Sequence, residues 1–279
     1  MTYRDITVHL SIDPRNTART AVALTLARRF AAQLTGFYTV PPPNVPYYMG
    51  EYIPTELIQK QVEDAQRESV GVREGFLAIC AAEPMPHRWR QSDLSPVEAL
   101  RVQARATDLV VVGQPDPSPS DPASVPYGSD VMPQELALQA GCPVLAVPHT
   151  GQFSDIGRRI LVAWNGKREA ARAIHDALPL LKGAELVTIL RVGPDRSGRT
   201  PLEDGADLLR RQGVRVETAS VEARGGQKVG HVILAEAKQR GCDLLVMGAF
   251  GASRLRELVF GGVTESVLGA MTIPVLLSN

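Results

Sequence analysis

Four glycines near the end of the chain carry the pattern with the most chemical content: Gly248, Gly251, Gly261 and Gly262. The first two follow an apolar run, Leu244-Leu245-Val246-Met247, and Ala252 to Phe260 separate them from the second pair. A glycine turn after a buried strand lets backbone approach a ligand with no Cβ in the way. Gly261-Gly262 then opens a segment with Val263, Val267 and Ala270 at helical spacing, and the free N–H groups of a helix start suit an anion. Strand, turn, spacer, glycine pair and helix start describe a phosphate cradle. The same glycines also suit a plain structural turn, and no lysine is present to complete a P-loop.

Other residues that could carry chemistry read more plainly as structure. Arg254 and Arg256, in the spacer, would reach phosphate oxygens or serve as solvated arginines of a helix face. Ser253 suits a helix cap better than a phosphate ligand. His175 and His231 sit singly on predicted helices with no partner four residues on, so no metal site is expected. His9, within a strand, reads as a satisfied polar group of the core or site edge. Trp164 reads as core, with stacking near a base as the alternative. Tyr47, Tyr48 and Tyr52 read as packing or an interface rather than a lid. There is no GxxxxGK[ST], no GxSxG and no kinase signature set, so dedicated catalysis is not expected.

The elements that must position these residues form a repeat. Ile6 to Leu10 is a first strand, Ala18 to Leu34 a helix ended by Gly36, and Gly36 to Val40 a second strand. A loop rich in proline and aromatics leads to a helix from Thr55 to about Cys80, and Trp89 marks a third strand. Ser95-Pro96-Val97-Glu98 is a helix start, with that helix running to Ala106. Thr107 to Gly113 is a fourth strand, Gly128-Ser129-Asp130 begins a last helix, and Pro143 to Val147 is a fifth strand. The order then recurs: strand Ile160 to Asn165, a helix carrying Ala171, Ile174, Leu178 and Leu181, strand Glu185 to Arg191, helix Pro201 to Arg211. Strand Val214 to Val221, helix Val229 to Arg240, strand Gly241 to Gly248 and closing strand Pro274 to Leu277 complete it. Alternation of this kind implies two α/β modules, 1–148 and 158–279, each a five-stranded parallel sheet with helices on both faces. His149 to Arg158 links them. A ligand belongs at the carboxyl ends of the strands, at the switch point.

Composition fits a globular protein of 279 residues, 44% hydrophobic and 22% charged. Formal charge is zero, with 12 Lys+Arg against 16 Asp+Glu in residues 1–150 and 18 against 14 in 151–279. No basic tract suggests nucleic acid, and no apolar stretch approaches the ~18–20 residues that span a bilayer. The amino terminus shows no signal-peptide pattern. Cys80, Cys142 and Cys242 are isolated, which suggests neither disulfides nor zinc and fits a reducing cytoplasm.

With these residues in view, the chain resembles the universal stress proteins in tandem form, a Rossmann-like fold of the adenine nucleotide alpha hydrolase type, over nearly all of its length. Nucleotide-binding members share G-x2-G-x9-G-[S/T] after the fourth strand, and Gly248, Gly251 and Gly261 match its glycines. Ile160 to Asn165 and Ile273 to Leu277 are also similar to family patterns. The resemblance implies ATP, or AMP or ADP, bound with or without Mg²⁺ as a regulatory ligand in stress response. It implies Ala163, Asn165 and Val192 beside adenosine, Gly248, Gly251, Gly261, Gly262 and Val263 around the phosphates, and Met247 and Thr264 in the same site. Asn165 stands where the family usually has aspartate, and Gly262 where it has Ser or Thr, so weakened binding is expected. In the first half Gly113 is followed by Gln114-Pro115-Asp116, the second glycine is missing, and Ser11 holds the aspartate position unless Asp13 substitutes. Asp116, Asp121 and Asp130 would crowd negative charge near a phosphate, although Gly128-Ser129 matches the end of the motif. The first half therefore reads as a structural partner. The resemblance further implies an internal pseudo-dimer joined through the closing strands, with a homodimer also open. The competing readings are a nucleotide-free interaction scaffold and a weak ATPase.

Overall fold

The computed structural model describes residues 2–13, 15–40, 55–116, 131–194, 200–223, 225–249 and 262–279. The first module runs β1 (Asp5–Leu10), α1 (Asn16–Phe30), β2 (Gln33–Thr39), α2 (Thr55–Ala81), β3 (His87–Ser92), α3 (Pro96–Ala104), β4 (Leu109–Gly113), α4 (Pro133–Gln139) and β5 (Val144–Val147). The second runs β6 (Arg159–Ala163), α5 (Arg168–Leu181), β7 (Leu186–Val192), α6 (Leu202–Arg210), β8 (Val216–Val221), α7 (Val229–Gln239), β9 (Leu244–Gly248), α8 (Gly262–Ala270) and β10 (Val275–Ser278). β4 and β9 lack polar alternation because helices cover both faces of the sheet, and their apolar residues are buried.

Among the described residues ten strands form one sheet in the order β3-β2-β1-β4-β5-β10-β9-β6-β7-β8. Pairing within each module is parallel, and the modules meet where β5 and β10 pair antiparallel, Leu145 opposite Leu276. Apolar residues of α1, α2, α5 and α6 pack on one face of the sheet. Those of α3, α4, α7 and α8 pack on the other. The first of these cores is continuous across the seam, since Leu145 and Leu276 share it with α1 and α5. The link is pinned as well: Arg29 pairs with Asp155 at 2.7 Å and Arg15 donates to the Gly151 carbonyl at 2.7 Å.

Several boundaries differ from expectation. α1 ends at Phe30, and Leu34 and Gly36 belong to β2. The left-handed residue that stops α1 is Ala31 (φ 50°), with the N–H groups of Ala31 and Ala32 returning to the carbonyls of Arg28 and Ala27. Gly36 instead makes room for the Phe76 ring, which lies 2.8 Å from where a Cβ would stand. α3 keeps its proline start, but the Ser95 side chain makes no capping bond and the helix ends at Ala104. The expected start at Gly128-Ser129-Asp130 lies outside the described residues; α4 is seen from Pro133. β6 ends at Ala163, so Trp164 and Asn165 lie in the following loop. On α5 the buried face is Ala170, Ala173, Ile174, Ala177, Leu180 and Leu181, with Ala171 and Leu178 half-buried beside it.

Among the described residues no helix is long and apolar enough to cross a membrane. The three cysteines are free thiols, and burial pushes Cys80 and Cys242 up to about 11 and Cys142 up to about 12.

Candidate functional site

In the second module β6 lies between β9 and β7, so the chain direction of the crossovers reverses between β6 and β9. That is the switch point at which open α/β sheets take ligands. Ala163 pairs with Met247 on one side and Leu190 on the other, which brings the carboxyl ends of all three strands to one place. Ala163 and Val192 line the α7/α8 side of the sheet, beside the buried Met247 and Ala249. α8 seats Val267 and Leu268 in the same core. Its buried residues are Thr264, Val267 and Leu268, whereas Val263 and Ala270, expected on the apolar stripe, are exposed. Of the expected spacing Val267 packs, joined by Thr264 and Leu268.

The two described glycines of the pattern differ in what they do. A Cβ on Gly248 would stand 2.5 Å from the Glu169 carbonyl carbon and 2.7 Å from the Ala170 nitrogen, so the first turn of α5 rests directly on the end of β9. Gly262 opens α8, is exposed, and has nothing among the described residues within 4 Å of a Cβ position. Helical geometry leaves the first N–H groups of α8 without intrahelical partners. Asn165 is exposed in the loop after β6, and its Oδ1 accepts the Lys167 N–H at 3.0 Å. Thr264 is 4% exposed and turned into the core. Gly251 and Gly261 lie outside the described residues, as do Ser253, Arg254, Arg256, Tyr47, Tyr48 and Tyr52.

Trp164 is a core residue. It is 5% exposed, α6 passes it closely at Gly205, and its indole N–H donates to the Thr200 carbonyl at 3.2 Å. The Thr200 N–H in turn donates to the Gly166 carbonyl at 3.1 Å, which ties the segment entering α6 to the loop holding Asn165. His175 and His231 are exposed. Among the described residues no group of three or more His, Cys, Asp and Glu is placed to hold a metal ion.

The register makes the modules comparable residue by residue. Ile6 faces Leu109 as Ile160 faces Leu244, so His9 stands at the place of Ala163, Thr39 at that of Val192, and Ser11 at that of Asn165. Where the second module has two apolar wall residues, the first has a buried hydrogen bond, His9 Nε2 to Thr39 Oγ1 at 3.0 Å. Burial first, and then the Arg19 charge, hold the His9 imidazole down at about 3, so it is neutral. Arg19, 5% exposed, lies against Gly113, pairs with Asp13 at 2.9 Å and donates to Asn16. The Asp13 carboxylate also accepts the Arg15 N–H at 2.7 Å, at the start of α1. Side chains of the module itself thus fill the corresponding place. The missing second glycine announced this departure; the roles of Arg19 and Thr39 had no signal in the sequence, because both depend on strand register.

Comparison with known proteins agrees with this architecture. Residues 157–279 match the model of the universal stress protein family. A universal stress protein of Bacillus subtilis is 29% identical over 147 residues, covering 43% of this chain and 97% of its own. One from Synechocystis is 30% identical over 145 residues, covering 48% of this chain and 46% of its own. Among solved structures, a universal stress protein from Archaeoglobus fulgidus aligns over 98% of this chain and 96% of its own with a TM-score of 0.68 at 17% identity, a likeness of fold. The likeness in sequence to the universal stress protein family is thus carried by the module formed by residues 157–279.

Proposed function

We propose that the second module binds ATP or a related adenine nucleotide, AMP or ADP, with or without Mg²⁺, as a regulatory ligand of a cytoplasmic stress-response protein. The observation that carries this reading is the switch point between β6 and β9. Apolar Ala163 and Val192 stand on one side as a wall for a base, and the start of α8 at Gly262, clear of the other described residues, offers backbone N–H groups to phosphate. The first module, with His9, Thr39 and Arg19 in the corresponding place, acts as a structural partner and completes an internal pseudo-dimer through β5 and β10. No dedicated catalysis is proposed, and any hydrolysis of the nucleotide is incidental. A homodimer of the whole chain is proposed only as a further assembly, which light scattering at 30.1 kDa would reject.

A second reading is favoured by one specific contact. Gly248 is required sterically by the turn of α5 above it, which is what a nucleotide-free scaffold would need of it too. The two readings separate on denaturing the purified protein and identifying by mass spectrometry what it releases. An adenine nucleotide in stoichiometric amount supports the first reading. A chain that releases none, and gives no heat on titration with ATP·Mg²⁺, supports the scaffold.

A further inference from the structure

The first module departs from the glycine pattern at the residue after β4, and that departure has a partner. Gln114 aligns with Ala249: the Gln114 N–H donates to Val147 O at 2.8 Å as the Ala249 N–H donates to Ser278 O at 2.7 Å. Its side chain, however, crosses the seam. Nε2 donates to the carbonyl of Leu268 at 2.6 Å, and Oε1 accepts the His149 N–H at 2.9 Å. Leu268 lies in the last turn of α8, where carbonyls have no intrahelical donor, so one module caps the helix of the other. With both ends of its amide engaged, the Gln114 side chain has a defined rotamer.

We infer that Gln114 is a positioning residue for the phosphate end of the second module's site: by holding the carboxyl end of α8, it fixes where the amino end at Gly262 points. The inference rests on the nucleotide reading and adds to it a contribution from the first module. α8 has nine residues. At about 1.5 Å per residue it is a short lever, so freedom at Leu268 is felt at Gly262. α8 is otherwise gripped by α7, where Gly230 admits Ser266 and the Val263 carbonyl at close range. α7 thus grips the helix near its start and middle, and Gln114 holds its end. The turn that would have touched a ligand in the first module touches the neighbouring helix instead.

The test uses the full chain and two variants, Gln114→Leu, which removes both bonds, and Gln114→Glu, which keeps the acceptor for His149 and loses the donor to Leu268. Affinities for ATP and for adenosine are measured by calorimetric titration, and hydrogen exchange is followed over residues 262–270. Loss of one well-placed hydrogen bond predicts ATP binding weaker by about ten-fold in both variants, adenosine binding unchanged, and faster exchange in α8. Equal weakening of both ligands would mean general loosening of the seam and would overturn the assignment, as would an unchanged ratio or unchanged exchange. A parent chain that binds neither ligand would overturn the nucleotide reading and this inference with it. A parent that binds both, with variants indistinguishable from it, would overturn the inference alone.

Discussion

Gly248 and Gly262 lack a Cβ for different reasons, and substitution separates them. Gly248→Ala places a methyl against the backbone of Glu169 and Ala170, which cannot swing away. Overpacking of this kind costs roughly 1–3 kcal/mol. Gly262→Ala meets no described residue and leaves stability within about 0.5 kcal/mol of the parent. Urea denaturation of the two variants checks the contrast, and equal losses would contradict it. His9 supplies a pH dependence. Its imidazole is held at about 3 in the folded chain against 6.5 ordinarily, so between these values the unfolded chain binds the extra proton. Stability therefore rises with pH across that window and falls as pH drops below 6.5, by up to about 1.4 kcal/mol per pH unit from this group. In His9→Gln that share of the slope disappears, which denaturation at pH 5 and pH 7 measures.

Among the elements, β10 and β5 bear the joint between the modules. Leu276 is fully buried opposite Leu145, in a core shared with α1 and α5. Leu276→Asp would bury a carboxylate with no partner there, costing several kcal/mol. The parent is expected to unfold in one calorimetric transition, and the variant in two or at a far lower midpoint. Unchanged melting would contradict a shared core. The sequence made most of these elements legible because buried parallel strands announce themselves as apolar runs, and glycine and proline punctuate the helices between them. It misled at the end of α1, where Ala31 adopts the left-handed turn usually given to glycine while Gly36 serves the packing of Phe76. It misled again at α8, where Thr264 rather than Val263 faces inward. Local pattern names the elements; which neighbour each side chain meets is decided by register and by contacts more than 100 residues away, such as Gln114 with Leu268.

For the chain as a whole, the two modules are alike in topology and unlike at their switch points. The second keeps Ala163, Val192 and a helix start clear of the other described residues, whereas the first has buried His9, Thr39 and Arg19 in the corresponding places and turns its Gln114 toward α8. The proposed division into one binding module and one supporting module would account for this asymmetry and would set the stoichiometry. Titration of the full chain with ATP·Mg²⁺, beside Gly251→Val, tests that account most directly. It predicts saturable binding of a single nucleotide per chain, lost in the variant. No heat, two equivalents per chain, or binding untouched by Gly251→Val would contradict it.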